Sequence, residues 1–264
     1  MNRVVGRDDL LLITLDTLRY DVATRALREG RTPTLGARLP EGSWERRHAP
    51  ASFTLPSHQA MFAGFLPTPE APGPHQRLFA LRFAGSETTG PRTCVLDGPD
   101  IVHGLAARGY HTVCIGGVGF FNRQTPLGQV LPGLFAESHW DRSLGVTDDA
   151  STAHQVALAL RIIARLPIEQ RLFLFVNVSA LHQPNLGYLP GAVEDSPASQ
   201  AAALAYVDGQ LTALFAALSA RRRTFCIVCS DHGTAYGEDG YRGHRLAHSV
   251  VWTVPYAHFF LESG

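Results

Sequence analysis

The 264-residue chain contains no lysine: its 23 basic residues are all arginine, and 23 acidic residues balance them. With no net charge, overall charge gives no drive toward nucleic acid or an anionic membrane surface, and neither is expected as a partner. Long apolar runs are missing too. The opening stretch MNRVVGRDDLLLITLD already carries Thr14 and Asp16 inside its apolar segment, which argues against a signal-peptide core, and no later run reads as membrane-spanning. A soluble, cytoplasmic protein is the expectation. Cysteine is scarce. Cys94, Cys114, Cys226 and Cys229 fall in or near apolar runs, where a reduced thiol behaves as a small buried hydrophobe. The CxxC formed by Cys226 and Cys229 has no second CxxC to pair with, which speaks against zinc or redox use.

Hydrophobic residues make up 45% of the chain, enough to bury a full core, and one domain over residues 1–264 is expected. Short runs rich in Val, Ile, Leu and Phe alternate with segments of helical spacing, the pattern of an α/β fold whose mostly parallel sheet is covered on both faces. Strands are expected at 10–15, 93–96, 112–115, 172–178, 225–229 and 255–261. Helices are expected at 148–166 and 199–218, the second with Leu204, Val207, Leu211, Leu214, Phe215 and Leu218 on one side. Proline and glycine mark 67–74 and 116–133 as surface loops near a substrate opening.

Ligands of open α/β sheets collect at the carboxyl ends of strands, so polar residues following apolar runs come first. In LLLITLDTLRYD, Asp16 ends a strand. In CIVCSDHG, Asp231 and His232 end another, and Gly233 lets the backbone turn away. A carboxylate and an imidazole at a strand end suit a divalent cation of the zinc or manganese kind. Neither motif decides alone, since an Asp after a strand is also an ordinary helix N-cap. The third segment is APASFTLPSHQAMFAG, where Ser57 reads as a helix cap and Thr54 stands just ahead of the helix, beside main-chain N–H groups that favour a phosphate or sulfate oxygen. Its hydroxyl becomes an effective nucleophile if a metal held by Asp16, Asp231 and His232 lowers its pKa.

LDTLRYD, TLPSH and SDHG, in this order, resemble the signature set of the alkaline phosphatase and sulfatase superfamily, a likeness that spans the chain. The resemblance implies an alkaline-phosphatase-like three-layer sandwich in which Asp16, Thr54, Asp231 and His232 bind metal and Thr54 is the nucleophile. FVNVSALHQPNLGY resembles the stretch in which a histidine contacts the transferred group, which implies a catalytic role for His182. In GYRGHRLAHSVVWTVPYAHF, His244 falls where relatives carry a lysine or histidine facing the substrate or a second metal, so it is both a catalytic and a metal candidate; His248 is a weaker one. Arg19 and Asp208 match recurrent positions and read as structural, one tying down the first loop and one supporting the sheet edge. The remaining histidines, His48, His58, His75, His103, His111, His139, His154 and His258, lack such context.

Sulfatases carry Cys or Ser at the nucleophile position, converted to formylglycine, and follow Pro-Ser with Arg; here the residues are Thr54 and His58. That departure shifts the expectation toward phosphate, phosphodiester or phosphonate esters. No Asp is followed four residues later by a His in the arrangement that supplies a second metal, so one ion is expected, with a second open to some of His182, His244 and His248. The implied activity is a metal-dependent hydrolase acting on a small-molecule or modified-peptide ester, with His182 or His244 supplying the proton. A transferase or mutase of the same superfamily, and a degenerate ligand- or partner-binding member, stand as alternatives. The oligomeric state cannot be read from the sequence.

Overall fold

A computed structural model describes residues 3–64 and 100–264, together with the backbone of the short strands Phe79–Ala80 and Cys94–Val95. The expected loop at 67–74 and His75 lie outside the described residues. Seven strands form the central sheet: β1 (Asp9–Leu15), β2 (Glu45–His48), β3 (Tyr110–Ile115), β4 (Glu137–His139), β5 (Arg171–Val178), β6 (Thr224–Cys229) and β7 (Thr253–Leu261), in the spatial order β2-β7-β6-β1-β5-β3-β4. β4, β3, β5, β1 and β6 run parallel, whereas β7 is antiparallel to both of its neighbours.

Successive side chains of a strand point to opposite faces, and the sequence fills both. Leu11, Ile13 and Leu15 of β1 and Leu172, Leu174, Val176 and Val178 of β5 pack on one face with α1 (Tyr20–Arg28), α4 (Ser151–Arg165) and α5 (Pro197–Arg221). Leu10, Phe173 and Phe175 face the other way, toward α2 (Thr54–Ala63) and α3 (Ile101–Ala107). The result is the three-layer α/β sandwich expected from the alternation of strands and helices. α5 starts where Ser196 and Ser199 form a reciprocal capping box and Pro197 pre-sets the first turn. It is long and apolar enough to cross a membrane, contrary to the sequence reading, but Leu204, Val207, Leu211, Leu214 and Leu218 are buried in the first core cluster.

Several expectations need correcting. Cys94–Val95 pairs with Phe79–Ala80 in a separate two-stranded sheet rather than joining the central one, and Thr93 and Leu96 lie outside the described residues. Residues 116–133 are a surface loop only in part: 123–126 are exposed, but Val118, Phe121 and Leu131 are buried in the second cluster and the segment folds into short helical turns such as Pro126–Val130. The edge strands β2 and β4, with sequences ERRH and ESH, carry no apolar run that could announce them.

Candidate metal centre

The parallel register of β1 and β6 pairs Thr14 with Cys229, so two residues further on Asp16 and Asp231 come side by side at the carboxyl edge. Both are fully buried, as is His232. Asp16 is not a helix cap; Arg19 occupies the N-cap position of α1. Immediately after Asp16 the backbone of Thr17 takes a left-handed conformation (φ 63°), which lets its N–H donate to Asp231 Oδ1 at 3.3 Å. Such strain in a non-glycine residue persists where surrounding contacts over-determine it. Here Thr17 Oγ1 donates to Leu181 O at 2.9 Å, and Gln200 Nε2 donates to Thr17 O at 2.9 Å.

Each carboxylate has one satisfied and one bare oxygen. Asp231 Oδ1 accepts from the Thr17 and His232 N–H groups, and Asp16 Oδ2 accepts from Asn177 Nδ2 at 3.1 Å. Asp16 Oδ1 and Asp231 Oδ2 are buried without any hydrogen-bond partner, an arrangement that is costly unless a cation sits between them. His232 donates from Nδ1 to Gly233 O at 2.9 Å, which leaves the Nε2 lone pair free and aims it at the same space. Nε2 lies 3.9 Å from Asp16 Oδ1 and 3.5 Å from Asp231 Oδ2. A tetrahedral shell with metal bonds of about 2.1 Å has ligand-to-ligand edges of about 3.4 Å, so these spacings fit a small divalent ion. Among the described residues, Asp16, Asp231 and His232 are the group of side chains so arranged.

Thr54 is the first residue of α2 rather than a residue ahead of it, and its Oγ1 lies 3.4 Å from His232 Nε2 and 3.5 Å from Asp16 Oδ2. The hydroxyl therefore lies against the same cluster. Phe53 supplies no side-chain cap, so the helix keeps its partial positive end beside that hydroxyl. Ser57, expected as the cap, instead donates to Asp231 O at 2.8 Å and pins α2 to the end of β6. Gly233 owes its place to close approach and not to a glycine-only turn: a Cβ there would meet Val250 O at 2.0 Å.

Burial raises the Asp16 carboxyl to about 6, helped by the charge of Asp231, and burial likewise raises Asp231 to about 7. Two carboxylates this reluctant to ionise suit a site whose normal state includes a positive ion. The His244 ring lies 4.7 Å from that of His232 and 5.4 Å from that of His182, so both further histidine candidates adjoin the centre. Burial and these neighbours push His244 down to about 3, and its buried Nδ1 has no partner. His182 has its Nδ1 2.5 Å from Gln183 O, leaving Nε2 available. His248 is committed elsewhere, its Nδ1 accepting from Val250 N–H and its Nε2 3.1 Å from Asp239 Oδ2.

Arg19 is structural as expected, paired with Asp21 and reaching Glu238 in the segment after β6. Asp208 supports a helix rather than the sheet edge, accepting from the N–H groups of Thr34 and Leu35 at the start of Pro33–Gly36. The signal for that role is the TPT segment around Pro33, which marks a helix start in need of an acceptor. Asn177 and Thr14, overlooked in the sequence because they lie within apolar strands, turn out to contact the site. Cys114, Cys226 and Cys229 are buried free thiols, and burial pushes Cys229 up to about 12.

Solved structures share the fold of this mostly parallel sheet. They include the C-terminal periplasmic domain of a phosphoethanolamine transferase from Campylobacter jejuni, with 12% identity, TM-score 0.63, and 96% of this chain against 79% of that one. The soluble domain of lipooligosaccharide phosphoethanolamine transferase A from Neisseria meningitidis matches at 15% identity and TM-score 0.63, with 96% and 76% covered. A lipoteichoic acid synthase from Listeria monocytogenes matches at 13% identity and TM-score 0.61, with 98% and 66% covered. At such identities the likeness concerns the fold. Residues 8–256 match the Sulfatase family model, and the chain belongs to that family. No curated protein matches it.

Proposed function

We propose that the chain is a metal-dependent enzyme that takes a phosphoryl- or sulfuryl-type group from an ester onto Thr54 and passes it to an acceptor. The carrying observation is the pair of buried, partnerless carboxylate oxygens that face His232 Nε2, with Thr54 Oγ1 against the same cluster. The sequence reading put hydrolysis first. Structural relatives named as transferases and a synthase support transfer to an acceptor instead.

Asp16, Asp231 and His232 would hold the cation, and zinc suits this oxygen and nitrogen set; a phosphoethanolamine transferase domain of similar fold from Escherichia coli is known in complex with zinc. When bound, the ion lowers the pKa of the Thr54 hydroxyl and offsets charge on the transferred group. Thr54 Oγ1 attacks phosphorus or sulfur, one new bond to oxygen forms, and the leaving oxygen departs with its electron pair. His182 Nε2, the bare nitrogen of a ring whose Nδ1 hydrogen faces Gln183 O, accepts the proton of the Thr54 hydroxyl and hands it to the leaving oxygen. An acceptor oxygen then displaces Thr54 by the reverse path. A second ion would fall to His182 and His244, not His248. The substrate is an ester of a small molecule or modified peptide.

The test is product analysis of zinc-loaded protein on aryl phosphate, phosphodiester, phosphonate and sulfate esters with an added alcohol. Transfer yields the alkyl ester of the group, and hydrolysis yields the free oxyanion alone. Absence of stoichiometric divalent metal together with absence of turnover would assign the chain a binding role instead.

A further inference from the structure

We propose that His58 is a positioning residue of the metal centre, one ring that fixes the main chain of Thr54 and, through Thr14 and Asn177, the placement of the Asp16 carboxylate. His58 is wholly buried in α2, one turn after Thr54. Its Nδ1 lies 2.8 Å from Thr54 O and 3.7 Å from Asp231 Oδ2, and its Nε2 lies 3.0 Å from Thr14 Oγ1.

The proton order along this chain of contacts follows from chemistry. A carbonyl oxygen can only accept, so Nδ1 carries the hydrogen and Nε2 is bare. Thr14 must then donate to Nε2, and its oxygen accepts from Asn177 Nδ2 at 3.2 Å. The Asn177 amide cannot be reversed, because its Oδ1 accepts from Val118 N–H at 3.0 Å. Asn177 Nδ2 also reaches Asp16 Oδ2, the oxygen 3.5 Å from the Thr54 hydroxyl. The contacts close a loop from the nucleophile's carbonyl, through His58, Thr14, Asn177 and Asp16, back to the nucleophile's hydroxyl.

The surroundings of the ring suit a neutral strut. Phe121 and Phe175 meet it edge-on with centroids 5.2 and 5.6 Å away, and Phe62 lies 6.0 Å away. The Thr54 carbonyl takes the Nδ1 hydrogen and the Thr14 hydroxyl fills the bare Nε2, the contacts of an uncharged ring. An uncharged residue here leaves both carboxylates to the cation, whereas a fixed positive charge would compete with it.

Three variants test the assignment: Thr14→Val, His58→Phe and His58→Asn. The first removes one buried hydroxyl at nearly constant shape, the second keeps the aromatic cage, and the third restores a donor toward Thr54. Zinc dissociation constants come from chelator competition, and kcat and KM from the ester substrates of the proposed function, on which only this kinetic arm rests. Thr14→Val and His58→Phe should weaken zinc about 10- to 100-fold, the range for lost support of a metal ligand. Their kcat should fall about tenfold or more with KM within about twofold, and the Thr14→Val/His58→Phe double variant should be no worse than His58→Phe, since both cut one chain. His58→Asn should recover part of kcat. Should His58→Phe not fold, Thr14→Val decides alone. Folded Thr14→Val protein with zinc affinity within twofold of the parent overturns the proposal whether or not the enzyme turns over, and so does a parent that binds no zinc. Turnover missing from a parent that binds zinc counts against the proposed function only.

Discussion

Replacing Asp231 by Asn should stabilise the metal-free protein and destabilise the zinc-loaded one. Asp231 is fully buried, and burial raises its carboxyl from 3.8 to about 7. Because the folded value lies above the unfolded one, the native state binds the extra proton, and the parent loses stability as pH rises from about 4 to about 7. At about 1.4 kcal/mol per pH unit, the gap of about three units means that ionised Asp231 costs up to about 4 kcal/mol above pH 7. Asn removes this cost while its Oδ1 still accepts from Thr17 and His232, and its Nδ2 takes the position of the bare oxygen, 3.5 Å from the free lone pair of His232. At roughly 2–4 °C per kcal/mol for a chain of this size, metal-free Asp231→Asn should melt up to about 8–16 °C above the parent at pH 8, and the gap should close toward pH 4. Zinc at about 10⁵ times its dissociation constant should reverse the order, because it adds about 7 kcal/mol to the parent and far less to a variant lacking the charged donor. Calorimetry with chelator and then with zinc at both pH values measures this. A metal-free parent as stable as the variant at pH 8 would refute the claim that these carboxylates are strained in anticipation of a cation.

Thr54→Ala should lower turnover by about 10⁴-fold or more while zinc titration still shows binding by the other three side chains, and Thr54→Ser should keep a measurable rate. Gly233→Ala drives a Cβ to 2.0 Å from Val250 O, and since backbone cannot yield as a side-chain tip does, urea unfolding should show a loss of about 3 kcal/mol or more. Asp208→Ala strips the acceptor from the N–H groups of Thr34 and Leu35 and should cost about 1–2 kcal/mol in the same assay with kcat unchanged.

The strands that carry the site were legible because a strand buried on both faces must be apolar along its whole length, and a lone acid or imidazole at its end then stands out. Asp16 and Asp231 were found in this way, and the register of β1 and β6 brings them together. Residues whose function depends on partners in space gave no such sign. Asn177 and Thr14 each sit as one polar residue inside an apolar strand, where hydrogen bonding in the core and support of a ligand look alike in one dimension. His58 differs from its neighbours only in type, and its role depends on β1 and β5 lying side by side beneath α2. Edge strands β2 and β4 were hidden because one face of each meets solvent, so nothing forces an apolar run.

The same difference shows why the fold alone does not fix the reaction. The parallel register places two carboxylates together, which any member of this architecture can do, and their raised pKa values make the pair hostile to its own charge unless a cation joins it. Uncharged groups stand around the pair: the Thr54 hydroxyl against His232, a neutral His58 beneath it and a neutral His244 beside it. A fixed cation, Arg245, stands near enough for its charge to lower both His232 and His244, so attraction for an anionic substrate is shared between it and the bound ion. Chelation should therefore weaken phosphate binding and Arg245→Gln should weaken it further, and an affinity for inorganic phosphate unchanged by both would contradict this account.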